Sequence, residues 1–209
     1  MLHLASPRAH MDVWLQQALL RVAAYLAAVA DDEGVLERYS FLGAAIDAVQ
    51  RQLPRQTTLA ELERMWAAAV AAWESALPVD SELPLQRLRR VGLTDDHLRA
   101  LVLVGLVEMD SRIGTVYGAL HPFPDEFHIT VGLLTDLLRF GGADEPGTAQ
   151  VDGWAIACDL AYWGLITLQH PDRPRAARTL RVPGMIWDAC AGEPIDWAGS
   201  ELICHPQTR

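Results

Sequence analysis

Cysteine is scarce. Cys158, Cys190 and Cys204 are odd in number, far apart and never in a CxxC pair. That spacing excludes a disulfide framework and gives no sign of a zinc site, and it reads as incidental thiols in a reducing cytoplasm. Basic charge is scarce as well: a net charge of −10 and a pI near 5 argue against non-specific binding to DNA or to an anionic membrane. Every apolar stretch meets a charge or a glycine before about 20 residues, so no transmembrane span is expected. The first residues lack the basic-then-apolar order of a signal peptide, and the chain is expected in the cytoplasm. There is no G-x-x-x-x-G-K-[ST], no apolar run ending in a Walker-B acidic pair and no G-x-S-x-G. The glycine-rich "FGGADEPG" carries no Lys and follows a helix, not a strand, so the segment is not expected to bind or hydrolyse ATP.

What is present is apolar and helical. About half the residues are hydrophobic and 21% are charged, which excludes wholesale disorder, and the length suits one domain or two small ones. Residues 11–30 place Leu15, Leu19, Val22, Leu26 and Val29 on a heptad-like seam, stopped by "DDEG". A second helix over 36–53 continues with Leu42, Ile46, Val49 and Leu53, closed by Pro54. A third begins at a Thr57 or Thr58 cap with Glu61 near capping-box spacing, and lines Leu62, Trp66, Ala69 and Trp73 on one face. Narrow seams on these helices predict an antiparallel bundle over 1–80.

The pattern changes after the "PVDSELP" linker. A short helix ends at Gly92, and a helix capped by Thr94 is apolar nearly all round from Leu98 to Val107, as a buried central helix is. Amphipathic helices follow over 111–121 and 128–140, then a loop over 141–147 and a helix from Val151 to Gly164. "LITLQH" and "RTLRVP", joined by the Arg- and Pro-rich "PDRPRAA", read as a β-hairpin, and "GMIWDACAG" as a closing helical turn. The fold class is therefore mainly α: an N-terminal helical bundle over 1–80, then, over 81–195, small helices and a protruding β-hairpin in the order of a winged helix. Residues 196–209 read as a tail or linker toward a following module.

Three groups of side chains carry chemistry. Glu108 and Asp110 are carboxylates two residues apart, beside Arg112. Such a pair can serve acid/base work or hold a divalent ion, but its place between two helices reads better as capping by Asp110 or Ser111, with Glu108 and Arg112 paired to each other or to exposed helix ends. His121, Asp125, Glu126 and His128 lie within one Pro-rich loop, a composition able to bind a transition metal, although no two of them have i, i+4 spacing on a helix. Arg173, Arg175, Arg178 and Arg181 decorate the hairpin and are the candidate contacts to a partner or to nucleic acid phosphates. The 111–121 helix, read as the recognition element, offers only Arg112 and His121 to DNA. Trp197, in "IDWAG", reads as an anchor for another domain or chain.

Over residues 83–192 the chain resembles the variant winged-helix domain that precedes the motor in a group of bacterial AAA+ ATPases. The likeness rests on Gly92, Leu93, Leu98, Leu101, Leu103, Glu108, Asp110, Arg112, Gly114, Tyr117 and Leu120, matching that family's E-L-D-x-R-F/Y-G-x-L-Y-A-x-L. "HITVGLLTDLL", "DLAYWGLITL" and "RTLRVPGMIWDACAG" are similar to its later elements. The resemblance implies a non-catalytic N-terminal interaction or regulatory module that recognises or positions a protein partner. ATP and Mg would belong to an ATPase module further along the chain, and Glu108, Asp110, Arg112, Gly114 and Tyr117 would be structural. A winged-helix DNA-binding regulator using the Arg-rich wing is the alternative. A small enzyme or metal site at Glu108 and Asp110, or in the 121–128 loop, is the lesser one.

Overall fold

A computed structural model describes residues 6–30, 34–53, 58–78, 83–121, 126–140 and 151–193. The described residues are mainly helical, with one small antiparallel sheet. Helix α1 (Pro7–Val29) opens with Pro7 in its first turn and the Ser6 hydroxyl accepting from the Ala9 N–H. It is not the narrow-seamed helix its heptad spacing predicts. Met11, Val13, Trp14, Leu15, Leu20 and Val22 are all buried, whereas Val29 is exposed. Alanines at 18, 23 and 24 let neighbours approach on several sides, and α1 packs against helices both before and after the expected boundary near residue 81.

The predicted 36–53 helix is two pieces, α2 (Val35–Arg38) and α3 (Ser40–Gln50), broken at Tyr39, whose φ of −116° and ψ of 63° leave the helical region. Helix α4 (Leu59–Ser75) has the full capping box of Thr58 and Glu61. It buries Leu62, Trp66 and Val70, and the Trp66 indole donates to the Val13 carbonyl of α1. Residues 79–82, where the linker was read, lie outside the described residues. On either side of them the apolar side chains join one continuous core running from Met11 to Ala191.

Helix α5 (Pro84–Arg90) ends before Gly92, and α6 (Asp95–Met109) is the central helix that its composition predicts. Leu98 and every residue from Ala100 to Leu106 are buried. Gly105 is required there, because a Cβ would stand 2.0 Å from the Trp187 ring. Then come α7 (Arg112–Leu120), α8 (Val131–Arg139) capped by Thr130, and α9 (Gly153–Tyr162) capped by Asp152.

The strands are shorter than the apolar runs predict. β1 (Thr167–Leu168) pairs with β2 (Leu180–Arg181) in the register Thr167–Arg181 and Leu168–Leu180. A bridge between Thr130 and Thr179 adds a third segment on the far side of β2. The Val131 N–H donates to the Arg178 carbonyl, and the Leu180 N–H to that of Ile129. Helices α8 and α9 thus connect the outer segment to β1. The loop between β1 and β2 contains one 3-10 turn (Arg175–Ala177), and α10 (Gly184–Ala191) closes the fold against α1, α5 and α6.

A buried polar hub joins the layers. The Glu74 carboxylate, at the end of α4, accepts from His10 Nε2 at 2.7 Å and Trp14 Nε1 at 2.8 Å, both of α1, and from Arg89 of α5 at 2.7 Å. Arg89 also donates to Asp95 in the first turn of α6, at 2.7 Å, and its guanidinium lies over the Trp14 ring. Glu63 of α4 accepts twice from Arg21 of α1, which reaches on to the Leu137 carbonyl of α8.

Candidate interaction face

Glu108, Asp110 and Arg112 separate by role. The helix breaks at Asp110, so Arg112 is not one turn along from Glu108 and the pairing expected between them is absent. Arg112 instead grips Asp110 through Nε and Nη2 at 3.0 and 2.6 Å, while its backbone N–H donates to the same carboxylate at 2.9 Å. These contacts hold the Asp110 carboxyl below the usual carboxylate range. Arg112 also covers the Phe41 ring at 4.7 Å, which ties α7 to α3. Exposed Glu108 lines a shallow groove of about 280 Å³ with Thr167, Gln169, Arg181 and Pro183. Asp110 does not line it.

Gly114 and Tyr117 are packing residues. A Cβ on Gly114 would sit 2.9 Å from the Phe127 Cβ. The buried Tyr117 hydroxyl donates to the Leu103 carbonyl at 2.6 Å, and burial pushes its phenol far above the usual range. Tyr117→Phe deletes that hydrogen bond and leaves the ring in place. We expect a loss of about 1 kcal/mol, read as a lower urea midpoint with an unchanged slope.

In the 121–128 loop, Asp125 lies outside the described residues. Glu126 faces the Arg173 guanidinium at 3.3 Å, His128 at 3.5 Å and His170 at 3.8 Å. Among the described residues no group of three His, Cys, Asp or Glu side chains is placed to hold a metal ion.

The hairpin arginines fold back on the protein. Arg173 pairs with Glu126, and Arg178 donates to the Arg173 and Pro171 carbonyls of its own loop at 3.1 and 2.7 Å. Arg175 and Arg178 lie over the Trp154 ring of α9 at 5.0 and 5.3 Å. Arg175 and Arg181 are exposed, the latter on the groove beside Glu108. The helix that leads directly into the hairpin is α9, as the chain order predicts, and the 111–121 helix read as the recognition element is α7, which precedes the Thr130 segment bridged to Thr179. Helix α9 contains no basic residue, and the chain contains no lysine at all.

Comparison with protein-family models, with curated proteins and with solved structures finds no match to this chain. What the chain can do therefore rests on its own surface, and on α9 that surface is aromatic. Tyr162 is 85% exposed and Trp163 52% exposed, with ring centroids 6.4 Å apart and the planes nearly perpendicular. Sequence reasoning placed this pair within a helix and nominated Trp197, which lies outside the described residues. A usable signal was available. Ile156, Ala157 and Leu160 face inward, and the next inward position falls at 163 or 164, where Gly164 ends the helix and strands Trp163 at its cap.

Proposed function

We propose that the chain is a non-catalytic N-terminal module of an AAA+ ATPase, with a winged-helix arrangement over 81–195, and that it recognises or positions a protein partner. The observation that carries the reading is the face made by α9 and the hairpin. Its exposed groups include the aromatic pair Tyr162 and Trp163 and the Asp159 carboxylate as well as Arg175 and Arg181, while Arg173 is engaged by Glu126, Arg178 by loop carbonyls, and Arg175 and Arg178 by the Trp154 ring. Exposed aromatics of this kind anchor protein interfaces, whereas a DNA-reading helix needs cations and donors directed at phosphates and base edges. The order Thr130 segment, α8, α9, β1, loop, β2 supports the winged-helix assignment. Nucleotide and Mg would bind in an ATPase module outside residues 1–209. The place of work is the cytoplasm; among the described residues no helix is long and apolar enough to cross a membrane.

Exposed Arg175 and Arg181 favour the second reading, a DNA-contacting wing. Fluorescence anisotropy with a labelled duplex at low salt separates the two. We expect no saturable binding. Salt-dependent binding that disappears when Arg173, Arg175 and Arg178 are changed to Ala would establish the DNA reading instead.

A further inference from the structure

We infer that the C-terminal end of α9 receives a cationic side chain, Lys or Arg, presented by a segment of the partner protein. The inference rests on the protein-interaction reading above and names the chemistry of its partner. Three features meet there, and each favours a positive charge. Tyr162 and Trp163 are exposed, and aromatic rings attract ammonium and guanidinium groups to their faces. Asp159 lies one helical turn before them, and its carboxylate is 63% exposed. The last turn of α9 holds no basic residue, so the negative end of its helix dipole has no cation from this chain's own last turn.

The surroundings sharpen the preference. His97 Nδ1 accepts from the Thr94 N–H at 3.2 Å, and its Nε2 reaches Asp159 at 3.2 Å. That contact brings the end of α9 beside the first turn of α6, which carries Asp95 and Asp96. Of the nearby cations, Arg99 pairs with Asp96 at 2.8 Å and Arg89 with Asp95 and Glu74, while Arg175 and Arg178 lie over Trp154 in the first turn of α9, at its other end. The exposed Asp159 carboxylate and the chain's net charge of −10 are the complement of a basic segment.

The test titrates the ¹⁵N-labelled 209-residue chain with two acetylated, amidated peptides, one of alternating Arg and Gly and one of alternating Glu and Gly. We expect the Arg–Gly peptide to shift the Trp163 indole resonance, with binding that weakens as salt is added, and the Glu–Gly peptide to leave it in place. Asp159→Asn and Trp163→Ala change exposed groups, and each is expected to weaken binding, read for all variants from the backbone amide shifts of α9, about two- to fivefold. No Trp163 shift with Arg–Gly, or equal binding by a Tyr162→Ala/Trp163→Ala double variant, overturns the inference. If Glu–Gly shifts Trp163 and Arg–Gly does not, the cationic assignment fails while the protein-interaction reading stands. A DNA duplex that shifts Trp163 where neither peptide does overturns both.

Discussion

Glu74→Ala is expected to cost about 3–5 kcal/mol. The Glu74 side chain is 5% exposed and His10 1% exposed, so water cannot replace what the substitution removes. Three donors, from His10, Trp14 and Arg89, lose their acceptor together. Trp14 Nε1 is a donor only, and Arg89 keeps the exposed Asp95 and the Trp14 ring face. Because the hub joins α1, α4, α5 and the start of α6, the loss is expected in the global unfolding transition measured by urea. A double-mutant cycle of Glu74→Ala with Arg89→Ala is expected to show strong coupling, since the second substitution removes a group the first has already orphaned.

The same hub fixes a pH dependence. Burial by itself would raise the Glu74 carboxyl, but hydrogen bonds from His10, Trp14 and Arg89 outweigh it and hold the group below its ordinary value. A carboxyl depressed in the folded state contributes fully above its unfolded value, about 4.3. That contribution is lost as pH falls through the folded value, because the unfolded chain then binds the proton more readily. Asp110, held down by Arg112, has the same sign and a smaller weight because it is partly solvated. Stability from urea melts is therefore expected to fall steeply below about pH 4, and the Glu74→Ala variant is expected to show a shallower fall.

Trp187→Ala is the second large effect, expected at about 3–5 kcal/mol. Trp187 on α10 packs its six-membered ring over Gly105, in the middle of the most buried helix. Gly105→Ala alone is expected to destabilise by about 1–3 kcal/mol, because the new methyl meets the Trp187 Cζ3 position. In the Trp187→Ala background that obstruction is gone, and alanine is a better helix former than glycine by about 1 kcal/mol. The sign of Gly105→Ala is therefore expected to reverse. Urea midpoints of the four proteins in this cycle check it: a destabilising Gly105→Ala in both backgrounds would place its cost elsewhere than at Trp187.

Local chemistry made much of the fold legible. Thr58 with Glu61 marked the start of α4, Gly92 the stop after α5, and the unbroken apolar run from Leu98 the burial of α6. The misreadings share a cause, which is distance along the chain. Nothing near Tyr39 signals the break between α2 and α3, since neither Pro nor Gly stands there. The partners of Glu74 lie 15, 60 and 64 residues away, beyond any spacing rule. The junction between two helices was legible at Asp110, but not that Arg112 would turn onto Asp110 and Phe41 and leave Glu108 to the groove. The hairpin arginines were legible as a group, but not the engagement of Arg173 by Glu126 or of Arg175 and Arg178 by Trp154, which arises only through the tertiary fold.

ATP turnover by residues 1–209, set beside turnover by the product of the complete reading frame, tests the central proposal most directly. We expect no nucleotide binding and no hydrolysis by the 209-residue chain. The complete product is expected to hydrolyse ATP through a Walker motif downstream of Arg209. Hydrolysis by residues 1–209 themselves, or a reading frame that closes without a Walker motif, would contradict the assignment of this chain as the non-catalytic front of an ATPase.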